Sequence, residues 1–203
     1  MAKNTYSLPN ILTYLRIVIV PLFVACYFLE GKLQTTDTAR LLSLIIFAFA
    51  CVTDFLDGYL ARIWKQTSNI GRIFDPIADK LIIVSALLLL AANGTIAGWS
   101  LWAAIIILCR EILVSGLREY LSDIHINIPV SNLAKYKTTI QMIAIGCLLI
   151  GPTGDSLLNL DVIFNEKNIF LTIGLTLLWV AALFTLITGW SYLKQSLSSI
   201  NEE

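Results

Sequence analysis

An all-α membrane protein with six transmembrane helices is the fold class this sequence predicts, on three observations. Of its 203 residues, 57% are hydrophobic and 14% charged, where a soluble domain carries about 25% charged residues. The apolar residues fall into six long runs, each near the roughly 20 residues that cross a bilayer. Four aspartates gather where the second run ends and the third begins.

The runs cover residues 10–29, 39–61, 73–92, 97–119, 133–151 and 169–193. Gly31, the Asn93-Gly94 pair, Pro129 and the Gly151-Pro152-Thr153-Gly154 cluster punctuate the joins, as turn-forming residues do. The first run is interrupted by Arg16 and Pro21 and lacks a small-residue cleavage site, so it is expected to remain as a membrane helix. The turn 93–96 is tight and uncharged, and 151–168 is the long connection. With no separate soluble segment, repeat or low-complexity tract, residues 1–203 are expected to form one membrane domain. Cys26, Cys51, Cys109 and Cys147 each lie inside an apolar run. Their spacing suits neither a disulfide framework nor a zinc site, and they are expected to be small core residues. His125, the one histidine, falls in a loop-like stretch and is given no catalytic role.

A net charge of zero excludes a polyanion-binding surface as a global property. The distribution of charge sets an orientation. With the N-terminus in the cytosol, Lys3, Arg16, Arg62, Lys65, Arg72, Lys80, Arg110, Arg118, Lys135, Lys137 and Lys194 lie at cytosolic ends and loops. Lys32, Arg40 and Lys167 lie outside. Eleven against three follows the positive-inside bias. Both termini and the acidic junction are therefore expected at the cytosolic face of the cell membrane.

Charges within a span are costly and mark function. Run two closes with Asp54-Phe55-Leu56-Asp57-Gly58-Tyr59-Leu60-Ala61-Arg62, and run three opens with Gly71-Arg72-Ile73-Phe74-Asp75-Pro76-Ile77-Ala78-Asp79. On a helix, Asp54, Asp57, Gly58, Ala61 and Arg62 share one face. Gly71, Asp75 and Asp79 recur every four residues and share another. A short turn around Thr67-Ser68-Asn69 joins the two helices antiparallel, which brings four carboxylates together. Bare anions in a partly dry site would repel one another. Divalent cations that prefer oxygen, Mg²⁺, Mn²⁺ or Ca²⁺, remove the conflict. Four carboxylates suffice for two ions, a device used in phosphoryl displacement. Gly58 and Ala61, small and on the same face, make room for a nucleotide or for close helix packing. Taken singly, Asp75 before Pro76 has the form of an N-cap followed by a first-turn proline. Four carboxylates on matched faces, without as many basic partners, favour metal.

The pattern Asp54-x2-Asp57-Gly58-x2-Ala61-Arg62-x8-Gly71-x3-Asp75-x3-Asp79 resembles the signature of the CDP-alcohol phosphatidyltransferase family in every fixed position. The six-span plan resembles the family too, so the likeness covers nearly the whole chain. It implies a six-helix membrane fold with a polar cavity open to the cytosol, usually in a homodimer. It implies two divalent cations, Mg²⁺ or Mn²⁺, with Asp54, Asp57 and Asp75 as ligands and Asp79 as both ligand and base. It also implies that Gly58, Arg62 and a hydroxyl in the connecting turn, Ser68 or Thr67, contact CDP-diacylglycerol, with Ala61 and Gly71 completing that surface.

The signature does not choose the acceptor. In the family it is glycerol 3-phosphate, inositol, inositol phosphate, serine, phosphatidylglycerol, choline or ethanolamine. Arg110 and Arg118 lie on the cytosolic half of run four, and Lys135 and Lys137 open run five beside Thr138. Arginine grips phosphate through a fork and lysine as a point charge, so these four are the candidate ligands of an acceptor phosphate. Snorkelling to the interface is the alternative, weakest for Arg110, which lies deeper in its helix. Glu111 and Glu119 offer the arginines partners. Leu8-Pro9-Asn10-Ile11-Leu12-Thr13-Tyr14-Leu15-Arg16, Arg110-Glu111, Ser115-Gly116-Leu117-Arg118-Glu119 and Ala134-Lys135-Tyr136-Lys137-Thr138 resemble family members that act on glycerol 3-phosphate. That acceptor is expected, with phosphatidylglycerol or inositol phosphate behind it. A divalent-cation transporter is the alternative of another class. It requires polar groups across the whole bilayer, whereas runs three and four are apolar toward the outer side.

Overall fold

A computed structural model of the chain describes residues 8–28, 37–64, 69–123, 132–159 and 168–201. The side chains of residues 55, 57–64, 69–73, 75–76, 79 and 134–135, among others, lie outside that description. Among the described residues the structure is helical and has no strand. Six long helices are α1 (Leu8–Phe28), α2 (Asp37–Trp64), α3 (Asn69–Ala92), α4 (Ser100–Asp123), α5 (Asn132–Ile150) and α7 (Ile169–Asn201). A short helix, α6 (Pro152–Leu157), lies between the last two. Long apolar runs favour this architecture because a helix satisfies its backbone internally where lipid offers no hydrogen bonds.

By length and composition, two stretches can cross a membrane, Ser100–Ser122 and Ile169–Ser199. Thr13–Tyr27, Lys80–Ala92 and Tyr136–Ile150 are shorter apolar helices. Large apolar side chains face outward on each long helix, including Val18, Ile45, Leu88, Ile112, Ile143 and Leu186. A water-exposed surface would not carry so extensive an apolar face, in keeping with a membrane protein.

The helix ends differ from the apolar runs where local backbone chemistry intervenes. The turn after α3 extends to residue 99 rather than 96, and α4 starts at Ser100 rather than 97. Gly94 and Gly98 adopt left-handed φ values of 80° and 56°, which favour glycine and interrupt the helix. The Ile96 N–H donates to the Leu90 carbonyl at 2.9 Å, and the Thr95 N–H donates to Asn93 Oδ1 at 3.0 Å. Asn93 also donates to the Tyr27 hydroxyl, tying this turn to α1. Pro21 does not end α1, which continues through it. α2 and α7 outrun the expected spans of 39–61 and 169–193, since helical hydrogen bonding need not stop where apolar sequence does.

The long connection 151–168 is not wholly irregular, because α6 lies within it. Gly151 takes a φ of 47° and Pro152 opens the helix, a position where its missing N–H costs nothing. Thr153 donates to Asp37 Oδ1 at 2.6 Å. Asp155, fully buried, accepts the Phe170 N–H at 3.1 Å. α6 thus clasps the start of α2 to the start of α7.

Within the bundle, α5 packs most extensively on α7, α4 also packs on α7, and α1 packs on α2 and α3. Small residues permit these approaches. Ala144, Ala181 and Ala182 are buried, and a Cβ at Gly174 would meet Leu148 at 2.8 Å. Phe23 of α1 and Phe47 of α2 pair at a centroid distance of 6.4 Å.

Candidate active site

The helix α2 runs unbroken through Arg62, and α3 starts at Asn69. Asp54, Asp57, Gly58, Ala61 and Arg62 therefore share a helical face, as do Gly71, Asp75 and Asp79. A connection as short as 65–68 makes antiparallel neighbours, and α2 and α3 are in contact. Asp75 and Pro76 lie within α3, well past its start, so they are not the N-cap and first-turn proline their sequence resembles. Asp54 is the aspartate whose side chain is described. It is partly buried and forms an ion pair with Arg16 of α1, whose side chain is 1% exposed. The side chains of Asp57, Ala61, Arg62, Asp75 and Asp79 lie outside the description, and Thr67 and Ser68 lie outside the described residues. Among the described residues no group of three or more metal-ligating side chains occurs. The sequence-derived donor set is entirely carboxylate oxygen, which suits a hard divalent cation. The Arg16 guanidinium compensates the charge of the Asp54 carboxylate.

A second polar group lies between α4, α5 and α7. Lys137, 1% exposed, forms an ion pair with Glu111. The same Glu111 Oε1 lies 3.5 Å from Arg110 Nη1. Arg110 Nη2 donates to Thr188 Oγ1 at 3.4 Å, and the arginine stem crosses Gly189, where a Cβ would lie 2.9 Å from Arg110 Cγ. Gln141 follows Lys137 by one helical turn, on the same face. It is 1% exposed, and neither its amide nitrogen nor its oxygen has a hydrogen-bond partner. Arg110 Nε and Thr185 Oγ1 are likewise buried without one. Unsatisfied polar atoms are costly in a dry interior, which sets these groups apart from the apolar core around them.

The structure therefore brings Arg110 and Lys137 to one carboxylate. Arg118 lies elsewhere, on the surface over the Tyr192 ring at 5.8 Å from its centroid. Two helical turns, about 12 Å of axial rise, separate it from Arg110. The Lys135 side chain lies outside the description, and Glu119 is exposed. Lys80, next to Asp79, donates to Ser115 Oγ and so ties α3 to α4. Arg110 also borders a groove of about 560 Å³ between α4 and α7, whose walls include Trp102, Leu113, Leu186 and Trp190.

Sequence reasoning did not assign Arg16 or Gln141 to the site. Both carried a signal. Arg16 is a charge inside an apolar run, and Gln141 is a polar residue one turn beyond a lysine in another. Each is the kind of intramembrane polar group that calls for a partner.

The family model for CDP-alcohol phosphatidyltransferase matches residues 6–189. The chain is 39% identical to a Rickettsia felis protein over 93% of this chain and 94% of that one. It is 38% identical to one from Cereibacter sphaeroides over 98% and 99% of the two chains. It is 34% identical to one from Haemophilus influenzae over 96% of each. All three relatives bear the name CDP-diacylglycerol--glycerol-3-phosphate 3-phosphatidyltransferase. With a family match over most of its length and an unbroken aspartate signature on α2 and α3, this chain belongs to the CDP-alcohol phosphatidyltransferase family.

Proposed function

We propose that residues 1–203 form a single membrane domain that transfers the phosphatidyl group of CDP-diacylglycerol to sn-glycerol 3-phosphate, giving phosphatidylglycerophosphate and CMP. The observation that carries the acceptor is the gathering of Arg110 and Lys137 on one carboxylate inside the bundle. Two cations at that depth are costly unless they serve an anion. The names of the three relatives favour the same acceptor.

The chain's own residues divide the work. Asp54, Asp57, Asp75 and Asp79 would hold two divalent cations, Mg²⁺ or Mn²⁺, which supply charge neutralisation to the diphosphate and the leaving CMP. Gly58, Ala61 and Gly71 make room for the nucleotide, and Arg62 with Ser68 or Thr67 donates hydrogen bonds to it. Arg16 holds Asp54 in place. Arg110 and Lys137 bind the acceptor phosphate, which turns the far hydroxyl toward the lipid phosphorus. That hydroxyl oxygen forms a new P–O bond as the bond to CMP breaks, and Asp79 takes the proton. Arg118 and Lys135, nearer the cytosolic end of the bundle, attract the anion as it enters a cavity open to the cytosol. A homodimer completes the proposal, supported by the family likeness.

Purified protein given CDP-diacylglycerol, Mg²⁺ and a panel of alcohols tests the acceptor. Phosphatidylglycerophosphate is the expected product, and a product only from serine, inositol or phosphatidylglycerol refutes it. Orientation is tested by cysteine labelling at Ser68 and Thr153 after the native cysteines are replaced. Labelling of Ser68 from outside intact cells refutes a cytosolic site.

A further inference from the structure

Gln141 places a whole amide in the interior of the bundle without a hydrogen bond. It belongs to α5 and is 1% exposed, and neither its amide nitrogen nor its amide oxygen has a partner. Two contacts fix its level. Lys137 meets Glu111 beside Arg110, whose stem crosses Gly189 of α7. Leu148 packs on Gly174 of the same helix. α5 and α7 therefore run antiparallel, and Gln141 lies between the two contacts, near the level of Ala181, Ala182 and Thr185. The two alanines are buried and offer no side-chain hydrogen bond. The buried Thr185 hydroxyl lacks a partner as well. α5 also packs on α2 and α3, the helices that carry the aspartates. A polar side chain left unpaired in such a place is costly unless a ligand completes it.

We propose that Gln141 is a specificity-determining residue of the acceptor site, and that its amide takes the hydroxyl of glycerol 3-phosphate that is neither phosphorylated nor attacking. This rests on Arg110 and Lys137 binding the acceptor phosphate. Gln141 follows Lys137 by one helical turn on the same face, about 6 Å of axial rise, a span that a three-carbon chain bridges. A hydroxyl both donates and accepts, and an amide does the same through its nitrogen and its oxygen. The Gln141 nitrogen donates to the hydroxyl oxygen, and the hydroxyl donates to the Gln141 oxygen. Neither amide atom gives up a bond within the protein to do so, since neither has one. An acceptor without that hydroxyl leaves the amide unpaired, and a site of this kind discriminates against it. Arg110 and Lys137 thus decide which end of the acceptor is held, and Gln141 decides what its middle carbon carries.

The analogue 3-hydroxypropyl phosphate tests the assignment, because it keeps the phosphate and the attacking hydroxyl and lacks the middle one. The unaltered protein is expected to prefer glycerol 3-phosphate in kcat/KM by about tenfold to a hundredfold, the factor that two hydrogen bonds correspond to. Gln141→Met keeps the length of the side chain and removes the amide. In that variant kcat/KM for glycerol 3-phosphate is expected to fall by the same factor. The value for 3-hydroxypropyl phosphate is expected to stay within about twofold, so the preference disappears. The KM for CDP-diacylglycerol is expected to stay put. The thermal midpoint in detergent is expected to hold or rise, because buried unpartnered polar atoms are removed. A residue that only shapes the bundle would slow both acceptors alike. A preference that survives Gln141→Met therefore overturns the proposal, and so does an unaltered protein with no preference. Should Gln141→Met fail to fold, Gln141→Leu removes the same amide and is read by the same ratio. Arg110→Ala separates the two levels. If it leaves the KM of both acceptors unchanged, the phosphate ligands are misassigned and the proposal falls with them. If it raises both while Gln141→Met leaves their ratio untouched, the role of Gln141 alone is refuted.

Discussion

The acidic face of α2 and α3 and the basic cluster of α4, α5 and α7 manage charge in an apolar bundle in opposite ways. The first carries four like charges within 26 consecutive positions of sequence, with the Arg16 guanidinium on Asp54. On our proposal the remaining neutralisation comes from outside, as metal. The second pairs opposite charges directly, with Lys137 of α5 and Arg110 of α4 on the Glu111 carboxylate. A site waiting for cations must expose carboxylates at fixed spacing. A cluster of ion pairs instead carries both signs of charge within the protein. The two regions should therefore fail differently when mutated.

The largest effect is expected on the acidic face. Asp→Asn at Asp54, Asp57 or Asp75 should lower transfer about a thousandfold or more, since metal contributions are worth several kcal/mol. Helical circular dichroism should be unchanged. Activity within about tenfold of the unaltered protein would break the comparison at its root. Next, Arg110→Ala and Lys137→Ala should each raise the KM for glycerol 3-phosphate about tenfold to a hundredfold. Steady-state kinetics with each substrate varied in turn should show a far smaller change for CDP-diacylglycerol, because lost ground-state binding appears in the KM of the ligand concerned.

Smaller still is the effect expected at Arg16. Arg16→Met should reduce stability by roughly 1–3 kcal/mol, the worth of one hydrogen bond between charged groups. Thermal unfolding in detergent should register it as a lowered midpoint. An unchanged midpoint would show that the Arg16–Asp54 pair adds nothing to stability. The smallest is Arg118→Ala. Exposed on the surface over Tyr192, it acts on the anion only through a solvent-screened charge worth about 0.5–1 kcal/mol, so kcat/KM should drop about twofold to fivefold. A drop as large as that of Arg110→Ala would extend the acceptor site two turns toward the cytosol.

The aspartate pattern could be placed on two helices from sequence because its spacing is local. Positions three, four and seven apart meet on a helix whatever the rest of the chain does. The helices were legible for the same reason, and each long one lies on an apolar run. What lay beyond the sequence were pairings between helices. Arg16 meets Asp54 across 38 positions and Lys137 meets Glu111 across 26, and nothing local to either residue announces the other. Arg110 and Arg118 look alike in sequence, each an arginine followed by a glutamate. Their surroundings separate them, since α7 presents Thr188 to one and Tyr192 to the other. The helix within 151–159 was hidden by its own turn residues. Gly151 and Pro152 mark an irregular backbone as readily as a helix start, and the buried contacts of Asp155 decide between them.

Gly189 gives the bundle an unadvertised control point. It touches no substrate in the proposed mechanism, and alanine there would favour the helical backbone. Yet a methyl group at that position would press on Arg110 Cγ, the root of the side chain, which cannot swing aside without taking the guanidinium along. The hydrogen bond to Thr188 and the approach to Glu111 would both be lost. On the proposed function, the space left empty at Gly189 is what lets Arg110 reach the acceptor.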